Sequence, residues 1–262
     1  MAIDLCVISY NTKDKLRRMV DILHSDGREG WNLYILDNMS TDGTQEWLTE
    51  NQKRYDIKYL RNQADNVGYA RACNFLARLG DGDIIGLLNA DVWLYTKDIE
   101  QIQKTFDKNP NIDILGPKQR DELGRITHAG IFGTLAEPKH RGWHEKDIED
   151  DLYRDLVPAV TVSGAAYFVR RKVWEELTAC QIYRSIHPNA EGAFLPTPHY
   201  YEETFCSYHA HAHNYGVYYD GRISIGHSWH ASSRVGGTAD GYFNVSREIF
   251  REMCDIHSIP HD

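Results

Sequence analysis

The sequence has no long hydrophobic run, no paired cysteines and a shortage of positive charge. Residues 84–88 are among its longest apolar stretches and include a glycine, far short of the ~18 residues that a bilayer crossing needs. The opening segment, MAIDLCVISYN, carries neither a basic leader nor a small-residue cleavage site, so no secretory signal is expected. No lipid-anchor motif is seen. The five cysteines (Cys6, Cys73, Cys180, Cys206, Cys254) stand far apart with no CxxC pair, and one is left over from any pairing. That pattern suits buried free thiols in a reducing compartment, and the expected location is cytoplasmic.

With 29 Lys and Arg against 38 Asp and Glu, the net charge is −9, which argues against wholesale binding to a phosphate backbone. Small basic clusters remain at residues 13–18, at Lys118 and Arg120, and at residues 170–172. Each is first read as a solvated helix or strand end. An acidic protein that handles an anionic substrate needs a cation in its site. The 262 residues are 42% hydrophobic, ample for a globular core and unlike a disordered chain.

Short apolar runs alternate with helix-like segments through the first half. Strands are expected at 3–9, 33–36, 57–60, 84–88 and 112–116, with helices at 13–24, 67–79 and 97–107. A further helix follows Asp42, the expected cap, with Gln45 at the capping-box position and Trp47 and Leu48 facing inward. This alternation predicts an α/β protein with a parallel sheet covered on both faces. The second half is less regular. Short strands or a hairpin are expected at 125–133, a long loop at 137–155, one strand at 160–169 and a short helix at 172–177. A helix at 201–214, short strands at 217–219 and 223–225, and a closing helix at 241–254 follow. No repeat or linker divides the chain, so a single domain over 1–262 is expected.

In an open α/β sheet, ligands bind outside the carboxyl ends of the strands. The groups there are Ser9, Tyr10 and Asn11, then Asp37 and Asn38, then Asn89, Ala90 and Asp91. Asp37 can accept a hydrogen bond from the N3–H of a uracil or thymine ring, or can serve only as a turn acceptor. Asp91, emerging from an apolar strand, is placed to hold a divalent cation with substrate phosphates as further ligands. His209, His211 and His213 invite a zinc reading, but alternate residues of a helix do not share a face, so three ligands cannot converge from this run.

Seven segments, in order, resemble the inverting family-two glycosyltransferases of GT-A (Rossmann-like) fold, including their rhamnosyl- and glucosyltransferase-like members. They are VISYNTKDKL, ILDNMSTDGT, NVGYARACNFL, IIGLLNADVWL, VSGAAYFVRRKVWEEL, YYEETF and ISIGHSWHASSR. The resemblance implies a mixed, mostly parallel sheet flanked by helices, a nucleotide-sugar half over 1–116 and an acceptor and catalytic half over 117–262. It implies that Asp37 contacts the base with Ser9, Tyr10 and Asn11 around it, and that Arg71 sits beside the nucleotide or diphosphate. Asn89, Ala90, Gly164 and Ala165 would line the donor site, and Asp91 and His227 would hold Mn²⁺ or Mg²⁺. Glu203 would be the general base. Glu202, Trp229 and His230 would lie toward the acceptor, with Glu202 either orienting its neighbour or binding the acceptor. Two departures stand out. Asn89 replaces the first acid of the metal motif, and HAHAHN replaces the arginine-rich helix expected after Glu203.

The implied activity is metal-dependent, inverting transfer of a hexosyl-type sugar from a UDP- or dTDP-sugar to an acceptor hydroxyl, that of a glycan in the family's common usage. The alternatives are a non-catalytic nucleotide- or glycan-binding protein of the same fold, and transfer to a modified nucleic-acid base or a protein side chain. A nucleotidyltransferase would want a glycine-rich phosphate loop after the first strand, and VISYNTKDKL has none.

Overall fold

The apolar run Ile3–Ser9 is buried at every position and forms β1, an interior strand of a ten-stranded sheet. The computed structural model describes residues 1–25, 27, 30–61, 65–228 and 239–261. Alternation along β1 divides the core in two. Ile3, Leu5 and Val7 face one side, with Leu16, Met19, Val20 and Leu23 of α1 (Lys13–Leu23). Cys6 and Ile8 face the other.

β2 (Trp31–Asp37) and β3 (Ile57–Arg61) extend the sheet in parallel from β1, with α2 (Thr44–Asn51) between them in sequence. α3 (Tyr69–Ala77) covers the Cys6 face and leads to β4 (Ile84–Asn89), parallel to β1 on its other side. β1, β2 and β4, the strands of this group with neighbours on both sides, carry only two charged residues, Asp4 and Asp37. The helix after Asp42 begins one residue later than a cap at Asp42 would require. Gly43, at φ 87°, occupies the cap position, while Asp42 accepts the Thr44 N–H at 3.1 Å.

β5 (Val92–Trp93), α4 (Thr96–Lys108) and β6 (Ile114–Arg120) follow, then the short strands β7 (Ile126–His128), β8 (Ile131–Gly133), β9 (Pro138–His140) and β10 (Leu156–Pro158). β11 (Ala166–Arg170) lies antiparallel between β4 and β6 and joins the two halves of the chain into one sheet. The strand expected over 160–169 is broken at Ser163. Its carbonyl and hydroxyl accept the N–H groups of Ala166 and Ala165, turning the chain before β11 starts.

α5 (Arg171–Ala179), α6 (Gln181–Ile186) and α7 (Glu202–Ala212) lead to β12 (Val217–His227), and α8 (Ala239–Ile256) closes the chain. The two short strands expected around 217–225 are one strand, parallel to β6. Its register shifts between Asp220 and Ser224, opposite Pro117, which cannot donate to the ladder. The packing of α7 and α8 builds a third core from Phe205, Tyr208, Phe250 and Met253. No helix among the described residues is long and apolar enough to cross a membrane.

Candidate active site

The loops after β1 and β2 are sewn together. The Asn38 N–H donates to the Ser9 carbonyl at 2.8 Å, and the Ser9 and Thr12 hydroxyls lie 3.0 Å apart. Asn11, with a left-handed φ of 51°, accepts the Thr41 N–H at 2.7 Å and gives its own N–H to Ser40 Oγ at 2.9 Å. Asp37 is fully buried, and its Oδ1 accepts the Ser40 N–H at 3.0 Å, the turn role that the sequence left open for it. Asn38 reaches across to the approach to α3, donating to Asn66 Oδ1 at 2.6 Å and accepting the Val67 N–H. Tyr10 is exposed on this rim. Such mutual bonding holds the rim in shape before any ligand arrives.

At the end of β4, the Asn89 N–H donates to the Ala165 carbonyl at 3.0 Å, fixing the turn before β11 against the strand end. Ala90 and Asp91 are buried just beyond. β5 then pairs antiparallel with the last residues of β12, setting His227 opposite Val92, and the Ser228 N–H bonds the Asp91 carbonyl. Gly226 permits this pairing, because a Cβ there would lie 2.6 Å from the Trp93 ring. His227 Nε2 thus comes within 3.7 Å of Asp91 Oδ1, although well over a hundred residues separate them. A buried carboxylate beside an imidazole is a donor set that fits a divalent cation whose other ligands are phosphate and water oxygens.

Glu203 enters from the first turn of α7. Tyr200 and Tyr201 before it both sit at φ 69°, a left-handed conformation that is uncommon outside glycine and that gathers at functional sites. Gly164 makes room for the acid: a Cβ there would stand 3.1 Å from Glu203 Cδ and 3.3 Å from its Oε2. The backbone N–H groups of Glu203 itself, Gly164 and Thr204 face its carboxylate, while the Tyr69 hydroxyl grips the Gly164 carbonyl at 2.7 Å. Burial raises the Glu203 pKa above the ordinary carboxylate range, against the lowering effect of those N–H bonds. Glu202 is buried beside it and accepts the Thr197 hydroxyl at 3.3 Å. Burial first, then the neighbouring Glu203 charge, pushes Glu202 further up.

A continuous chain of contacts therefore runs from Glu203 to Gly164, through Ala165 to Asn89, and on to Asp91 and His227. Arg71 stands apart from it. It is exposed and lines a cavity of about 610 Å³ with Leu36, Phe75, His187 and Pro196, whose walls include none of Asp37, Asp91, Glu203 or His227. Trp229 and His230 lie outside the described residues.

Three participants escaped the sequence reading. Tyr69 pins the Gly164 turn; its one signal was its place after a glycine in NVGYARACNFL. Glu122 accepts the hydroxyl of Ser228, next to His227. His128 accepts the Ser163 N–H at 3.3 Å, and burial, with His140, His227 and Arg141 around it, pushes its pKa down to about 3. Neither Glu122 nor His128 had a sequence signal, because folding alone brings them to the site.

An α/β sheet with a carboxylate and an imidazole meeting at its strand ends, and a second carboxylate supported by a glycine turn, has the layout of a GT-A protein. Residues 4–177 match the family described as glycosyl transferase family 2, and the chain belongs to that family. No curated protein sequence matches it. Among solved structures it is similar to GalNAc-T7 with UDP, GalNAc and Mn²⁺ (TM-score 0.66, 15% identity, 86% of this chain and 43% of that one). It is also similar to S. aureus TarS 1-349 with UDP-GlcNAc (0.59, 13%, 86% and 57%). A third is the mannosyltransferase PcManGT from Pyrobaculum calidifontis with GDP-Man and Mn²⁺ (0.59, 13%, 97% and 62%). At such identities the likeness shows the mixed α/β fold that the sequence predicted. The chain spans less than two thirds of each of these proteins.

Proposed function

We propose that the protein is a metal-dependent, inverting glycosyltransferase that moves a sugar from a UDP- or dTDP-sugar to an acceptor hydroxyl of a glycan. The observation that carries this reading is the approach of His227 to Asp91, in contact through Asn89 and Gly164 with Glu203. Family membership supports it, as do the similar folds of TarS with UDP-GlcNAc and of PcManGT with GDP-Man and Mn²⁺.

Inversion needs an activated hydroxyl, a stabilised leaving group and an aligned anomeric carbon. Glu203 takes the acceptor proton on its carboxylate as the hydroxyl attacks. Its raised pKa brings it nearer the operating pH, where a base is most effective. Asp91 and His227 would hold Mn²⁺ or Mg²⁺, which when bound supplies Lewis-acid neutralisation of the leaving diphosphate. Asp37 orients the pyrimidine, and Ser9, Tyr10 and Asn11 frame the ring. Gly164 and Ala165 let the backbone approach the sugar. Glu202 is the acidic neighbour on the acceptor side.

The test is donor turnover with a panel of UDP- and dTDP-sugars and glycan acceptors, with and without EDTA. Product of inverted configuration, lost in chelator and restored by Mn²⁺ or Mg²⁺, is expected. Donor binding without transfer or hydrolysis across the panel would make the protein a nucleotide-sugar binder. Full activity in chelator, with no residual metal, would remove the roles given to Asp91 and His227.

A further inference from the structure

Away from the strand ends, three side chains from distant parts of the sequence meet among the helices. Cys180 stands at the junction of α5 and α6, His209 in the last turn of α7, and His257 just beyond α8. One ligand atom from each lies within 4.8 Å of the others. His209 is 1% exposed, yet among the described residues neither of its ring nitrogens has a hydrogen-bond partner, and His257 Nε2 is buried without one as well. A buried imidazole with both nitrogens unsatisfied carries a desolvation cost that ordinary packing does not offset. Burial, then His257 and His213, pushes the His209 pKa down to about 3, so the ring is held in the neutral form that binds metals.

We propose that Cys180, His209 and His257 form a site for a thiolate-preferring transition metal ion, zinc by its chemistry. One sulfur and two imidazoles make a soft donor set, unlike the oxygen-rich set that suits Mg²⁺ or Mn²⁺. At Zn–S and Zn–N bonds of about 2.3 and 2.0–2.1 Å, tetrahedral ligand atoms stand roughly 3.3–3.6 Å apart. A shift of about an ångström in these side chains closes the site from the 4.8 Å limit that now contains it. Binding replaces the Cys180 S–H bond with a sulfur–metal bond and releases the proton to solvent.

The surroundings suit such a role. Phe205 packs its ring 5.5 Å from both His209 and His257, and Tyr183 lies 5.9 Å from His209, so the site is walled by aromatic rings. The His213 ring is exposed and stands 4.8 Å from that of His209. His211 is engaged elsewhere, its Nε2 2.9 Å from the Val160 carbonyl. The HAHAHN run thus supplies one ligand and lends a neighbour, while the other ligands come from the flanking segments. An ion here would tie the end of α8 to α7 and to the α5–α6 junction. It would act structurally, independently of the sugar-transfer reading.

The experiment is cobalt titration of the full-length protein after chelation and dialysis under reducing conditions. A thiolate-to-Co²⁺ charge-transfer band reports sulfur ligation, which Asp91 and His227 cannot produce. One equivalent of Co²⁺ should generate the band, Zn²⁺ should displace it, and Zn²⁺ should raise the thermal midpoint. Cys180→Ser and His257→Gln, both at partly exposed positions, should abolish the band and the zinc-dependent rise. No band in the wild type, or a band unchanged in Cys180→Ser, would overturn the site. If both variants fail to fold, the wild-type band and its displacement by zinc still decide.

Discussion

Buried charge is treated in opposite ways in two regions of the molecule. On β6, Lys118 is fully buried, and its Nζ meets Asp147 Oδ2, Asp150 Oδ1 and the Leu152 carbonyl, each at 2.7 Å. Asp4 on β1 is likewise surrounded by the Arg171 guanidinium at 2.6 Å, the Gly82 N–H at 2.7 Å and the Asn32 amide at 2.9 Å. At the start of α7, two carboxylates stand side by side, and among the described residues no ion pair reaches either of them. Where charge is matched, the chain is holding itself together. Two acids left against each other, both pushed toward the neutral form, carry a cost that stability does not explain, and perturbed groups of this kind gather at functional sites.

The sharpest way to separate the two regions is to disarm each in turn. Glu203→Gln keeps the shape and removes the proton acceptor, so transfer should fall by about 10²–10⁴-fold. Donor affinity and the unfolding midpoint should stay near wild type. Kinetics with saturating donor, beside a thermal melt, provide the check, and a variant with full turnover would strip Glu203 of its role.

Asp147→Ala makes the opposite cut. It leaves Lys118 short of a partner in a buried setting, and breaking a buried pair from one side costs about 3–5 kcal/mol. Denaturant unfolding should show that loss, while the turnover of the folded fraction stays unchanged. An activity defect as large as that of Glu203→Gln would mean that the two regions are not separate.

The same division explains what could be read before folding. The strands of the first half were visible because a strand buried on both faces leaves an apolar run, as in Ile3–Ser9. Residues 160–169 have a similar composition, but Ser163 turns the chain through its own backbone and hydroxyl bonds, and periodicity does not register such bonds. The shift in β12 depends on Pro117 in a different strand. At the site, Asp91 stood out as an acid ending a strand, whereas His227 and Glu203 entered only through family likeness, since no spacing connects them. Glu122 and His128 had neither signal. The expectation that His209, His211 and His213 do not converge concerned one helix and gave no view of Cys180 and His257, which approach from the α5–α6 junction and the end of α8.

The finest test concerns Glu202. Its folded pKa is raised, so the folded state binds its proton more tightly than the unfolded chain does. The stability linked to that proton is complete below the ordinary carboxylate range and is lost as pH rises through the raised folded value. Wild-type protein should therefore lose part of its stability across that interval, and Glu202→Gln, which keeps a hydrogen-bonding group and cannot ionise, should flatten the loss. Glu203 ionises first, while Glu202 still holds its proton, so the same substitution should leave the acidic limb of the rate profile in place with little change in the plateau. Melts and initial rates across one pH series read both effects. A stability curve identical to wild type would show Glu202 to be ordinarily ionised, and the two acids of α7 would then no longer contrast with Lys118 and Asp4.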